Sequence, residues 1–231
     1  MNSKKAIILL SGGLDSLVSL ALAHHNNIKI ECALTFDYGQ KAFTKELSAA
    51  KKIAKFYEIQ LDIITLDWLK NITTTSLVTE KPLPKLSKEN LFNEIITKES
   101  MKNVWVPNRN GLFINIAAAF CDSKEYDFVI IGANSEEAKT FSDNSKAFIN
   151  SMNEVLKTST NYDVSVIAPL IDMNKNEIIS KAIELNAPLE YINSCYNNTE
   201  KHCGKCESCT RLKYALEQNQ QTELISKLFE D

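Results

Sequence analysis

The chain has 231 residues, 44% hydrophobic and 24% charged, enough for one sizeable core or one domain plus a small appendage. A formal net charge of −3 supplies no basic field, so no direct nucleic-acid partner is expected. Lys4 and Lys5 before Ala6-Ile7-Ile8-Leu9-Leu10 mimic a secretion signal, but Gly12, Gly13 and Asp15 interrupt the apolar run. No stretch is apolar enough to span a bilayer, and a cytoplasmic location is expected.

Residues 5–10 are an Ile- and Leu-rich run suited to a strand buried on both faces. A Gly-Gly turn follows, and residues 14–23 are apolar nearly all round, as in a buried helix. Residues 28–36 read as a second strand. Phe43, Leu47, Ala50, Ala54 and Tyr57 fall at helical spacing, so 41–57 is an amphipathic helix, and 61–66 a third strand. Residues 70–105, with Thr73-Thr74-Thr75, Pro82 and Pro84, read as an irregular excursion with one short helix near 90–97, of the kind that forms a lid or a disordered loop. Beyond it come a helix over 111–122, a strand over 127–131, a helix over 144–156, a strand over 164–167 and a helix over 175–185. The alternation implies an α/β fold: a doubly wound, mostly parallel five-stranded sheet with helices on both faces. The expected organisation is a nucleotide-binding domain over 1–185 and a C-terminal segment over 186–231.

Ser11-Gly12-Gly13-Leu14-Asp15-Ser16 sits between the first strand and the first helix. Glycines there let the backbone turn tightly against a ligand, and the free N–H groups at the helix start form an anion site. The bland alternative is a strand-to-helix turn with serine and aspartate as caps. The loop lacks the Gly-Lys-Ser/Thr ending of Walker A and the three spaced glycines of the dinucleotide fingerprint. It resembles the signature of the N-type ATP pyrophosphatases, which adenylate a substrate and release pyrophosphate. The resemblance implies that Leu10, Ser11, Gly12, Gly13, Leu14, Asp15 and Ser16 hold ATP, with Asp15 helping to bind Mg²⁺.

Four of six cysteines crowd into one segment, Cys195, Cys203, Cys206 and Cys209, with C-x7-C-x2-C-x2-C spacing. Such gaps let thiolates converge on one tetrahedral ion; four ligands leave no open position, so one structural Zn²⁺ per chain is expected. An iron–sulfur cluster is the alternative. Cys32 and Cys121 read as core thiols, and His202 as solvent-exposed.

Phe36-Asp37-Tyr38-Gly39-Gln40, Val106-Pro107-Asn108-Arg109-Asn110, Ile131-Gly132-Ala133-Asn134, Pro169-Leu170-Ile171, Asn174-Lys175-Asn176-Glu177-Ile178 and Ser194-Cys195-Tyr196 follow in order. With the loop and the cysteine knuckle, they closely resemble the 7-cyano-7-deazaguanine synthase family over about residues 5–216. The resemblance implies a Rossmann-like, HUP-type domain with a C-terminal helical zinc-knuckle subdomain and, since family members are often dimeric, a homodimer. It also implies a reaction: ATP adenylates 7-carboxy-7-deazaguanine, ammonia displaces AMP to give the amide, and a second ATP converts the amide to the nitrile.

Within that family reading, Asp15, Arg109 and Lys175 are the expected catalytic residues. Arg109 opens a helix and can pair with a phosphate or the substrate carboxylate; Lys175 lies at a helix start, poised for phosphate. Each has a plainer reading as a solvated cation. Phe36 is assigned to ATP, and Asp37, Tyr38, Arg109, Glu137, Phe141 and Asp143 to the substrate; Glu137 and Asp143 are the candidates for the donor edge of guanine, which carboxylates suit. Residues 134–145 depart from the commoner bacterial pattern: Glu137, Ser142 and Ser145 stand where aspartate, proline and arginine are usual. The competing readings are adenylation of another deazapurine or acceptor, as in nucleic-acid modification or defence, tRNA thiolation, and a non-catalytic nucleotide-sensing module.

Overall fold

The computed structural model describes residues 3–91 and 93–230. The chain begins with β1 (Lys5–Leu9), α1 (Leu14–His25), β2 (Lys29–Asp37), α2 (Phe43–Phe56), β3 (Gln60–Thr65) and α3 (Asp67–Ile72). After an irregular stretch with one 3-10 turn (Lys88–Asn90) come α4 (Glu94–Lys102), α5 (Arg109–Lys124), β4 (Phe128–Ile130), α6 (Ser135–Ala138), α7 (Lys146–Ser159), β5 (Ser165–Ile167) and α8 (Lys175–Glu184). The C-terminal part adds α9 (Glu207–Gln218) and α10 (Thr222–Leu228). All five strands pair in parallel in the order β3-β2-β1-β4-β5. The expected doubly wound sheet is therefore present, and its order reverses between β1 and β4. In such sheets a ligand sits beyond the C-terminal strand ends at that reversal.

Alternation along β1 feeds two cores. Ala6, Ile8 and Leu10 face one side, where they meet Leu17 and Leu20 of α1, Ile53 of α2 and Ile178 of α8. Ile7 and Leu9 face the other, against Ile114 and Ala117 of α5 and Met152 and Leu156 of α7. This two-sided burial explains why β1 reads as an unbroken apolar run. The C-terminal part packs into the first core: Leu189, Ile192, Leu212, Leu216 and Phe229 share it with Leu14 and Leu17.

The excursion over 70–105 is docked rather than loose. Lys85 bridges Cys206, the Thr210 hydroxyl donates to the Leu86 carbonyl at 2.9 Å, and Lys88 pairs with Glu217. Its helix lies later than expected, at α4, because the Asn93 side chain caps it by accepting from Ile95 and Ile96 N–H at 3.1 and 3.3 Å. Part of the expected 90–97 helix, Phe92, lies outside the described residues. Among the described residues no helix is long and apolar enough to cross a membrane.

Candidate active site

The Ser-Gly-Gly-Leu-Asp-Ser turn lies where β1 ends and α1 begins, at the order reversal. Gly12 has φ +81°, and a Cβ there would stand 2.6 Å from the Glu46 carbonyl oxygen and 2.9 Å from Ala50 N. The turn is thus pressed against α2, and only glycine fits. On the β4 side, a Cβ at Gly132 would meet Ser16 N at 2.9 Å, so β4 ends flush against the start of α1. The N-terminal cap position of α1, Gly13, offers no side-chain acceptor; Leu14 N–H meets the Ser194 hydroxyl at 3.4 Å, and the first-turn N–H groups that follow it stay open to an anion. The Ser11 and Ser16 hydroxyls lie 3.2 Å apart beside them, and Ser16 also donates to the Gly13 carbonyl at 3.0 Å.

A cleft of about 1150 Å³, counting its solvent-facing mouth, opens over this turn. Leu10, Ser11, Gly13, Leu14, Asp15 and Ser16 line it, as do Phe36, Tyr38, Arg109, Glu137 and Lys175. An adjoining cavity of about 690 Å³ shares Arg109, Glu137 and Lys175 with it and adds Phe141. Asp37 and Asp143 line neither cavity. Asp37 accepts from Gly39 N–H at 3.0 Å within its turn, and Asp143 accepts from the Asn144 amide at 3.2 Å.

Lys175, the first residue of α8, does not reach toward open solvent. Its ammonium donates to Asp15 Oδ2 at 2.5 Å and Glu137 Oε1 at 2.8 Å, with the side chain 12% exposed. Burial alone would lower the Lys175 pKa, but the two carboxylates outweigh it and hold it above the ordinary lysine value. Asp15 goes the other way: burial pushes its carboxyl up to about 6 against the pull of Lys175. Glu137, also opposed by burial, is kept below the usual glutamate value by Lys175. Asp15 lines the cleft, and its Oδ1 is buried with no hydrogen-bond partner.

Arg109 donates to the Tyr38 hydroxyl at 3.2 Å. Burial opposes its charge, yet nearby Tyr38 and Asp143 hold its pKa above the ordinary arginine value. Phe36 stacks on Phe113 with ring centroids 3.9 Å apart, and Phe141 stacks on Trp105 at 6.3 Å.

Several residues in the site carry no signal that sequence reasoning used. Glu46 lines the cleft, accepts from the Gln40 amide at 2.9 Å, and has its pKa raised by burial. On an amphipathic helix it reads as a solvated face. Arg211 bridges Glu136 at 2.6 Å and Glu207 at 2.9 Å, with Ser100 hydrogen-bonded to Glu207, and so ties α6 and α4 to α9. Ser194 and Tyr196 line both cavities; the motif around Cys195 was the only available hint.

Below the cleft, the sulfur atoms of Cys195, Cys203, Cys206 and Cys209 all lie within 4.8 Å of one another. Hydrogen bonding from Cys206 and Cys209 pulls the Cys195 thiol far below the ordinary value, and its partner Cys206 is pushed up to about 12. Four crowded sulfurs, one biased to thiolate, suit a cation. His202 corrects an expectation: it is not solvent-exposed but 3% exposed, with its ring 5.0 Å from that of Phe229. Its polar neighbours in sequence hid this, because the C-terminal residues after α10 close over it.

A sequence profile of the family described as queuosine biosynthesis protein QueC matches residues 5–220. The chain belongs to the QueC family. A 7-cyano-7-deazaguanine synthase from Methanosarcina mazei is 48% identical over 211 residues, 90% of this chain and 91% of that protein. One from Carboxydothermus hydrogenoformans is 50% identical over 213 residues, 92% of this chain and 98% of that protein. Among solved structures, the U34-tRNA thiolase NcsA from Methanococcus maripaludis aligns with TM-score 0.51 at 19% identity, covering 99% of this chain and 71% of its own. NMN synthetase from Francisella tularensis aligns with TM-score 0.51 at 14% identity, covering 96% and 87%. These two share the fold of the QueC-family chain.

Proposed function

We propose that this QueC-family enzyme converts 7-carboxy-7-deazaguanine and ammonia to the nitrile at the expense of two ATP. The observation that carries the reading is the glycine-started N-terminus of α1 at the sheet's order reversal, opening into a cleft lined by Lys175, Arg109 and Asp15. A carboxylate is a poor electrophile because oxide would have to leave. A carboxylate oxygen therefore attacks the α-phosphorus of ATP, and pyrophosphate departs. Ammonia adds to the acyl adenylate and expels AMP, which keeps that oxygen. The amide oxygen then attacks a second ATP, and loss of the second AMP with a proton leaves the nitrile.

The chain's part in this is positioning and charge. First-turn N–H groups of α1 and the Ser11 and Ser16 hydroxyls hold the departing pyrophosphate, with Lys175 at its edge. Arg109 orients the acid, Tyr38, Phe36 and Phe141 frame the rings, and Glu137 meets the guanine edge; Asp37 and Asp143 shape the turns beside them. The free Asp15 Oδ1, with Glu137 nearby, fits a divalent cation, so these residues would hold Mg²⁺, which neutralises phosphate charge when bound. The four cysteines would hold Zn²⁺ as a structural ion; their mutual closeness suits one metal atom better than a cluster, which spreads its ligand sulfurs further. Elemental analysis finding iron and sulfide instead of about one zinc per chain would reverse that assignment. Light scattering tests the homodimer carried over from the family resemblance.

The adenylation step has its own test. With substrate labelled with ¹⁸O in the carboxylate, the label should pass into the AMP phosphate. AMP without label would exclude the acyl adenylate.

A further inference from the structure

The segment between the metal knuckle and the phosphate turn is threaded through one buried imidazole. Ser194 N–H donates to His202 Nε2 at 3.0 Å, and the other ring nitrogen lies 3.1 Å from the Leu228 carbonyl oxygen. An acceptor at Nε2 and a carbonyl opposite Nδ1 together require the neutral tautomer with its proton on Nδ1. The ring is thus held from both sides and has one orientation available. Its neighbour Cys203 is a knuckle ligand, and the residue it holds is followed by Cys195, another.

On its far side, this segment touches the phosphate turn at two points. Asn193 N–H donates to the Gly12 carbonyl at 2.8 Å, and the Ser194 hydroxyl accepts from Leu14 N–H at 3.4 Å. A Cβ on Gly13 would have the Ser194 hydroxyl oxygen 3.7 Å away and the Asn193 carbonyl 3.8 Å away. Leu14 N–H is one of the first-turn donors of α1, and Ser194 lines both cavities. The hydroxyl therefore stands in the ring of donors around the anion site. It occupies Leu14 N–H in the structure and is within reach of the same space a phosphate oxygen would take.

We propose that His202 is a positioning residue for ATP: it fixes the Asn193–Ser194 backbone so that the Ser194 hydroxyl completes the phosphate site, and it thereby couples the cysteine knuckle to nucleotide affinity. The inference rests on the phosphate turn being the nucleotide site. A knuckle that served only to clamp α9 needs no contact with the turn; here two hydrogen bonds and one buried imidazole connect them. Removing the Nε2 acceptor strands a part-buried Ser194 N–H and frees the segment to shift, while the knuckle's four sulfurs remain.

The test compares two amides. Glutamine carries its terminal oxygen to about the position of Nε2, and asparagine carries its nitrogen to about that of Nδ1. H202N should weaken ATP binding, and raise KM for ATP, by about five- to tenfold, the worth of one buried hydrogen bond, with kcat changed far less. H202Q should recover most of that loss. S194A should weaken ATP binding by a similar factor, and H202N added to it should cost little more, because both act through one hydroxyl. ATP dissociation constants by titration calorimetry and metal content per chain are measured on the same samples. If H202N and H202Q bind ATP alike at full metal content, or if the losses in S194A and H202N simply multiply, the coupling is wrong. If the wild-type chain binds no ATP, the nucleotide site itself is misplaced, and the two failures are distinguished.

Discussion

Lys175 is the buried cation beside the turn, on the side of the cleft where the proposed reaction releases pyrophosphate. It is held between Asp15 and Glu137, so its removal does two things at once. It deletes a cation from the pyrophosphate side, and it leaves two carboxylates facing each other. K175M should lower kcat/KM for ATP by roughly 100-fold or more. It should also cost about 1–3 kcal/mol in stability, less than a fully buried pair because Glu137 is 33% exposed. Denaturant unfolding and steady-state kinetics measure the two separately. Asp15 adds a pH dependence. With its carboxyl pushed up to about 6, the folded chain holds that proton more tightly than the unfolded chain, whose aspartate titrates near 4. The group's contribution to stability therefore declines as pH rises from about 4 to about 6. Nucleotide affinity has the opposite sign, since the carboxylate is the form that pairs with Lys175 and accepts a cation. ATP-Mg affinity should fall as pH drops below about 6, and titrations between pH 5 and 8 showing a flat affinity would contradict the role given to Asp15. The loop was legible because a glycine pair between a strand and a helix is a local signal. The Asp15–Glu137–Lys175 cluster was not, because its members meet across 160 and 38 residues of sequence and no periodicity marks that meeting.

Elements were legible where one face is apolar for several turns, as with α2, α7 and α8, or where the whole helix is apolar, as with α1. They were harder to place where a cap or a contact decides. Asn93 starts α4 later than the apolar pattern suggests, and the short α3 has only Leu69 fully buried to announce it. His202 is the sharpest case: its burial comes from the strand-like pairing with the residues after α10, which share no local pattern with it. The junction of β1 and α1 yields a prediction at this scale. G12A places a Cβ against the backbone of α2 and forces alanine to φ +81°. The left-handed conformation alone costs about 1–2 kcal/mol, and the contact adds to it. The variant should unfold at lower denaturant and lose ATP binding together. Full ATP affinity in a folded G12A would show that the turn does not shape the phosphate site.

For the whole molecule, the parallel sheet and its two-sided helical cover followed from strand and helix alternation, but the joining of the C-terminal part to the nucleotide half did not. Phe229 and Leu212 share a core with Leu14 and Leu17, and the 70–105 segment lies along α9 through Thr210 and Arg211's partner Glu207. Losing the knuckle's metal should therefore destabilise the chain as one unit. C206S, or chelation, should lower the thermal midpoint by at least about 5 °C in a single transition; an early separate transition would mean the knuckle melts on its own. The purified enzyme is incubated with ATP, 7-carboxy-7-deazaguanine and ammonium, and nitrile, AMP and pyrophosphate are quantified together. Two AMP and two pyrophosphate are expected for each nitrile; ADP and phosphate, or AMP release with no nitrile, would contradict the proposed reaction.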